Sequence, residues 1–296
     1  MDRYTFKYWL LAIRPKTLLI SAMPVLVGCA LTWKEGKLQW IPAVICFLFA
    51  LIAQIAFNLF NDYSDFINKR DRENRTGSES VVTSGCIQPS KMLNVSIILI
   101  TWGCLLGLAL IFYTGWEIVL VGIATGIGVF AYSSGPYPLS HKGLGDICAL
   151  LFYGIIPVGF TYYVQTLEWT FITTICGLAM GIVSVNVSLA NNYRDRKQDA
   201  ISGKRTTVVI FGEKFGRYFY VFNGIVAVCI CFSFVLTNQY YAAFIPALYL
   251  IPHLKTWRKM SWIRRGKGLN SILMRSAKNV LIFGILLCIG ILMGKN

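Results

Sequence analysis

Acidic groups are scarce in this chain. Of 296 residues 13 are Asp or Glu, against 28 Lys and Arg, and only two are histidine, His141 and His253. Two histidines leave almost nothing from which to build a histidine-rich zinc site or a histidine-centred catalytic apparatus. Charge of either sign is thin at 14%, while 56% of residues are hydrophobic and mean hydropathy is +0.60. Those values exclude disorder and sit poorly with a soluble globule of this length. The N-terminus does not read as a cleavable signal, because charged and aromatic residues alternate there and no small-residue cleavage site follows a short apolar core. Phe6, Trp9, Leu10 and Ile13 instead recur at helical spacing, which predicts either an interfacial helix over 3–14 or an extension of the first span. The nine cysteines form no framework. Eight lie in apolar stretches and Cys86 in a loop, and Cys229-Ile-Cys231 lacks a second pair or a nearby histidine, so small apolar packing accounts for them.

What the chain has in abundance is apolar blocks of membrane-crossing length. They fall at 17–33, 41–60, 93–113, 117–133, 146–164, 170–190, 218–236, 240–254 and 279–294, several of them short, notably 117–133 and 240–254. The fold class expected is all-α, a polytopic bundle of about nine transmembrane helices in one domain. With the N-terminus cytoplasmic, nine spans place 25 of the 28 Lys and Arg residues on the cytoplasmic side, leaving Lys34, Lys37 and Lys295 outside. That bias is the positive-inside rule, so the net charge of +15 speaks for a bilayer and against nucleic acid.

Two polar stripes interrupt the apolar pattern and are built alike. Asn61-Asp62-Tyr63-Ser64-Asp65 matches Asn191-Asn192-Tyr193-Arg194-Asp195 at an offset of 130 residues, a weak internal repeat of 58–71 on 188–199. On a helix Asn58, Asp62 and Asp65 share one face, as do Asn191, Asp195 and Asp199. Carboxylates at the end of a membrane helix are costly unless something binds them, and oxygen-only donors suit a hard divalent cation such as magnesium. Asn58, Asn61, Asp62, Asp65, Asp71, Asn191, Asp195 and Asp199 are therefore the candidate metal ligands, with Asp62, Asp65, Asp195 and Asp199 the catalytic carboxylates. Solvated helix ends would explain neither the asparagines one turn deeper nor the near-duplication.

Cations crowd both stripes. Lys69, Arg72, Arg75, Lys204 and Arg205 are candidates to hold a diphosphate, which becomes a good leaving group once its charge is neutralised. A third segment, Tyr132 to Asp146, breaks the helix with Gly135, Pro136 and Pro138 and carries Tyr132, Tyr137, Lys142 and Asp146, candidates for the acceptor side of the site. Arg14 and Lys16, in R-P-K-T at the entry to the first span, are either membrane anchors or contacts for an acidic substrate.

At these residues the chain resembles the UbiA superfamily of intramembrane aromatic prenyltransferases, whose N-D-x-x-D and D-x-x-x-D motifs are matched by Asn61 to Asp65 and by Asp195 to Asp199. The likeness runs from about Arg14 to the C-terminus. R-P-K-T-L at 14–18, G-P-Y-P-L at 135–139 and N-N-Y-R-D at 191–195 are similar to the branch that prenylates 1,4-dihydroxy-2-naphthoate. One departure is Gly77-Ser78-Glu79-Ser80, where that branch carries an arginine. The resemblance implies nine helices around a central cavity, two Mg2+ ions, a polyprenyl diphosphate donor and an aromatic acceptor. It further implies demethylmenaquinone as product, after loss of the acceptor's carboxylate, and a site at the cytoplasmic face of a bacterial inner membrane. Another acceptor such as 4-hydroxybenzoate, and more remotely a divalent-cation transporter, are the alternatives. The stripes lie at helix ends on one side rather than at mid-membrane, which disfavours transport.

Overall fold

A computed structural model describes residues 3–67, 81–133 and 138–294, with backbone alone at 3–5, 16, 129 and 133. Every regular element among them is helical. In chain order they are α1 (Arg3–Ile13), α2 (Pro15–Lys34), α3 (Trp40–Ile67), α4 (Pro89–Ala109) and α5 (Glu117–Ser133), then α6 (Gly145–Thr166), α7 (Phe171–Ile201), α8 (Thr207–Cys231), α9 (Leu250–Ile263) and α10 (Asn270–Met293). Seven helical segments, those of α2, α3, α4, α6, α7, α8 and α10, are long and apolar enough to cross a membrane. The other two expected spans are helical but different in kind. The 117–133 run is a helix of 17 residues, and 240–254 falls in a run bent by a 3-10 turn at Ile245–Tyr249, where Pro246 removes a backbone donor.

The packing is that of a bundle whose outer surface is as apolar as its interior. The main core gathers Met23 and Val27 of α2, Tyr162 of α6, Met180 of α7, Val228 of α8 and Phe283 of α10, all buried. Outward-facing Phe112, Leu120 and Phe171 are 91%, 71% and 72% exposed, surface that only lipid would solvate cheaply.

Close helix approach is made by glycine. A Cβ on Gly154 of α6 would lie 2.4 Å from the Gly177 carbonyl oxygen and from the Gly181 Cα of α7, so only hydrogen fits at this crossing. At this crossing α6 loosens into a π turn, Leu151–Ile155, in which Tyr153 leaves helical geometry at φ −115°, ψ 16°. Such turns rotate a side chain out of register with its helix and often mark functional sites.

The first junction is also specific. Arg14 separates α1 from α2 in the left-handed region, φ 54°, ψ 65°, because Pro15 disfavours a helical residue before it. The Thr17 hydroxyl closes the turn by donating to the Arg14 carbonyl at 2.8 Å.

Candidate active site

Both stripes lie in the last turns of long helices, α3 and α7, where they extend the apolar runs without a break. A carboxylate at a helix C-terminus faces the negative end of the macrodipole, so each needs a cation. The structure supplies one to each stripe. The Arg14 guanidinium donates to Asp62 Oδ1, whose residue is 2% exposed. Arg194 grips Asp195 with two bonds, Nε to Oδ1 at 2.8 Å and Nη2 to Oδ2 at 2.7 Å. The same guanidinium donates to Asn191 Oδ1 at 2.6 Å and to Asn270 Oδ1 of α10 at 3.0 Å. One turn on, Lys204 Nζ stands 3.6 Å from Asp199 Oδ1.

The first stripe continues deeper than the motif. Ser21 donates to Gln54 at 2.6 Å, Gln54 to Asn58 at 3.0 Å, and Asn58 in turn to the Ile13 carbonyl at 2.9 Å and the Thr17 hydroxyl at 3.0 Å. The Asn58 amide oxygen is thus held by Gln54 of its own helix, while its NH2 group holds the α1–α2 junction, the turn that delivers Arg14 to Asp62. Gln54 had a signal in the sequence: it lies at i−4 from Asn58 and i−8 from Asp62, a polar residue within an apolar run.

The two stripe-bearing helices are joined through α2 and through the Ile156–Thr166 part of α6, both of which pack on each of them. Two tyrosines occupy this region. The Tyr153 hydroxyl is within hydrogen-bonding reach of Gln54 and senses the Arg14 charge, while its carbonyl accepts from Ser184 of α7 at 3.3 Å. Tyr132, at the end of α5, packs on Phe57 of α3 with ring centroids 5.7 Å apart. Nothing in the apolar block 146–164 distinguished Tyr153, since its position depends on the π turn.

The third segment docks on the chain that follows the second stripe. The Arg205 amide donates to the His141 carbonyl at 2.9 Å, and the Thr207 hydroxyl donates to Asp146 Oδ2. Asp146 is 9% exposed, and its Oδ1 is buried without a hydrogen-bond partner. Asn61, Asp65 and Asn191 are half-buried on the two stripes, whereas Lys142 and Arg205 are exposed at the edge of this assembly. Lys69, Asp71, Arg72, Arg75 and Tyr137 lie outside the described residues, as does the Lys16 side chain.

A neighbouring cation has a different task. Arg196 pairs with Glu213 at 2.8 Å, donates to the Arg264 carbonyl at 2.8 Å, and stacks 4.3 Å from the Tyr193 ring centre. It ties the ends of α7, α8 and α9 together and faces away from the carboxylates of its own stripe.

The donors present fit magnesium of a particular kind. Among the described residues no three carboxylate, imidazole or thiolate groups come together to hold one ion. Buried carboxylates in ones and twos, all oxygen and each set already balanced by a cation, match an ion that completes its shell with water and substrate phosphate oxygens.

A model of the UbiA prenyltransferase family matches residues 21–279. The chain belongs to that family. It is 29% identical over 296 residues to the 1,4-dihydroxy-2-naphthoate octaprenyltransferase of Escherichia coli, covering 97% of this chain and 96% of that protein. To the protein of the same name from Mycobacterium tuberculosis it is 31% identical over 233 residues, 78% of each chain. Two solved structures share the fold. A UbiA homolog from Archaeoglobus fulgidus, bound to DMAPP and Mg2+, superposes with a TM-score of 0.65 at 15% identity, over 94% of this chain and 98% of the other. The apo UbiA homolog from Aeropyrum pernix gives 0.68 at 13% identity, over 93% and 96%.

Proposed function

We propose that this UbiA-family chain transfers a polyprenyl group from a polyprenyl diphosphate to 1,4-dihydroxy-2-naphthoate, with loss of the ring carboxylate, giving demethylmenaquinone in its reduced, hydroquinone form, which air oxidises to the quinone outside the enzyme. The observation that carries the reading is the pair of arginine-balanced carboxylate stripes, each in the last turns of a long helix, in a chain whose relatives at about 30% identity bear that name. The chain works as a single domain in a bacterial cytoplasmic membrane, with its N-terminus and the stripes at the cytoplasmic face.

Asp62 with Asp65, and Asp195 with Asp199, would hold magnesium, of which we assign two ions. Magnesium bound there would supply the positive charge that neutralises a departing diphosphate. The residues of the chain do the remainder. Arg14 and Arg194 balance the buried carboxylates before substrate arrives and lie beside them to meet the diphosphate oxygens afterwards. Lys204 and the loop cations Lys69, Arg72 and Arg75 add to that anion pocket. The bond from the prenyl C1 to the diphosphate oxygen breaks, the electron-rich ring carbon forms the new bond to C1, and the ring's carboxylate leaves as carbon dioxide. Tyr132 and Tyr153 face the positive charge on the prenyl carbon with aromatic surface. Asp146, buried and with one oxygen unpartnered, is placed to accept a proton from a ring hydroxyl.

An acceptor panel tests the reading. Membranes containing the protein, supplied with a long-chain prenyl diphosphate and Mg2+, are offered dihydroxynaphthoate or 4-hydroxybenzoate, and products are read by mass. Demethylmenaquinone is expected. Product from 4-hydroxybenzoate with none from dihydroxynaphthoate would overturn the acceptor assignment and leave the family standing.

A further inference from the structure

At the same end of the bundle as the stripes, α8 and α9 flank an open cavity of about 380 Å³ that shares no lining residue with the candidate active site. Its walls are Arg217 and Tyr218 of α8 and Trp257, Arg258, Ser261 and Trp262 of α9. The side chains are almost all hydrogen-bond donors, with two guanidinium groups and no carboxylate. Two of those donors, Arg217 Nε and the Trp257 indole nitrogen, are buried without a hydrogen-bond partner. A buried donor left unpaired is costly, more so when charged, so two of them on residues that line one pocket call for an acceptor from outside the chain. Glu213, one turn before Arg217 on α8, is already engaged by Arg196 at 2.8 Å and by the Tyr193 hydroxyl at 3.2 Å.

Depth and surroundings identify the acceptor. The bond from Arg196 to the Arg264 carbonyl sets the end of α9 level with the end of α7. Trp257 and Ser261 lie within about two turns of that end, roughly 10 Å or less, the depth of a lipid headgroup. Trp262 is 84% exposed beside the cavity, as interfacial tryptophans are. Below it α8 presents Tyr218, Phe222 and Ile225 along one outward face, 57%, 59% and 43% exposed, an apolar track that begins at the cavity. A free phosphate would have no use for that track.

We propose that this cavity is a binding site for the phosphate of an anionic glycerophospholipid, with Arg217, Trp257 and Arg258 holding the headgroup and the face of Tyr218, Phe222 and Ile225 carrying an acyl chain. Basic pockets between membrane helices bind acidic headgroups in this manner. By bracing α8 against α9, the lipid bears on the Glu213–Arg196 pair that anchors the end of α7.

The test uses the full-length protein, purified in a neutral detergent and stripped of lipid, then titrated with phosphatidylglycerol, phosphatidylcholine or inorganic phosphate while native mass spectrometry reads bound adducts. Phosphatidylglycerol should bind in preference to phosphatidylcholine. Arg217→Gln should weaken it about tenfold or more, through loss of a charged hydrogen bond. Trp257→Phe, which keeps the ring and removes the N–H, should weaken it by about threefold to tenfold, and this variant decides the matter should Arg217→Gln not fold. Lys255→Gln, on the same helix outside the cavity, should leave binding unchanged. Equal binding of the two lipids, wild-type affinity in Trp257→Phe, or an equal loss in Lys255→Gln would overturn the site. Displacement of the lipid by equimolar inorganic phosphate would overturn the lipid and assign a free anion instead.

Discussion

Arg194→Gln separates the two tasks assigned to the second stripe, holding the fold and holding a cation. In the wild-type chain the Arg194 and Asp195 side chains are 7% and 12% exposed and share two bonds, with further bonds from Arg194 to Asn191 and Asn270. Breaking a fully buried pair costs about 3–5 kcal/mol, because the partner is left charged and unpaired. Two features reduce that figure here: the carboxylate keeps some contact with solvent at the helix end, and glutamine can still donate to Asn191. We expect a loss of about 2–3 kcal/mol, seen as a fall of about 5–10 °C in apparent Tm in detergent without divalent ions. Millimolar Mg2+ should raise the Tm of the variant by more than that of the wild type, because a metal at Asp195 replaces the missing positive charge without first displacing arginine. Arg194→Lys should restore the charge but not the two-pronged geometry, and so recover only part of the loss. An equal magnesium shift in wild type and Arg194→Gln would refute the idea that Asp195 exchanges arginine for metal.

Three further outcomes are expected. Asp62→Ala and Asp195→Ala should each lower turnover at least about 10²-fold with helix content unchanged by circular dichroism; near-wild-type activity in either would sink that residue's assignment. Tyr153→Phe keeps the aromatic face and removes the hydroxyl facing Gln54, so a fall in kcat of less than about tenfold is expected, whereas Tyr153→Leu should fall further because the face itself is gone. Gly181→Ala puts a methyl 2.4 Å from the Leu150 carbonyl oxygen, so α6 must shift and stability should fall by about 1–3 kcal/mol or more, with Gly126→Ala, which meets nothing within 4 Å, as the neutral comparison in a thermal melt.

The helices were legible because membrane helices are written in continuous apolar runs, and seven of the nine expected spans meet length and apolarity criteria in the structure. The two that do not are 117–133, which forms a helix of only 17 residues, and 240–254, the shortest block, which carries Pro246 and Pro252 within or beside its bend. Both stripes were legible for the same local reason, since a period of 3.6 residues decides which side chains share a face. Asp62 with Arg14 is another matter. That pair spans 48 residues, and it forms only because Arg14 takes a left-handed turn before proline and Asn58 ties that turn to α3.

Arg194 and Arg196 make the contrast plainest. In the sequence they are equivalent members of one basic cluster. About 200° of helical rotation separates them, so one reaches the carboxylate of its own stripe and Asn270 of α10, and the other turns to Glu213 and the end of α9. By itself the sequence determined the all-helical membrane class, the family likeness and the faces on which the acidic residues lie, because each depends on residues within a turn or two of one another. Tertiary structure alone decided which arginine serves which carboxylate, that Tyr153 leaves helical geometry and its carbonyl accepts from Ser184, and that Arg217 and Trp257 line one cavity with a buried donor each left unpaired. Those are contacts between helices distant in sequence, and no local period encodes them.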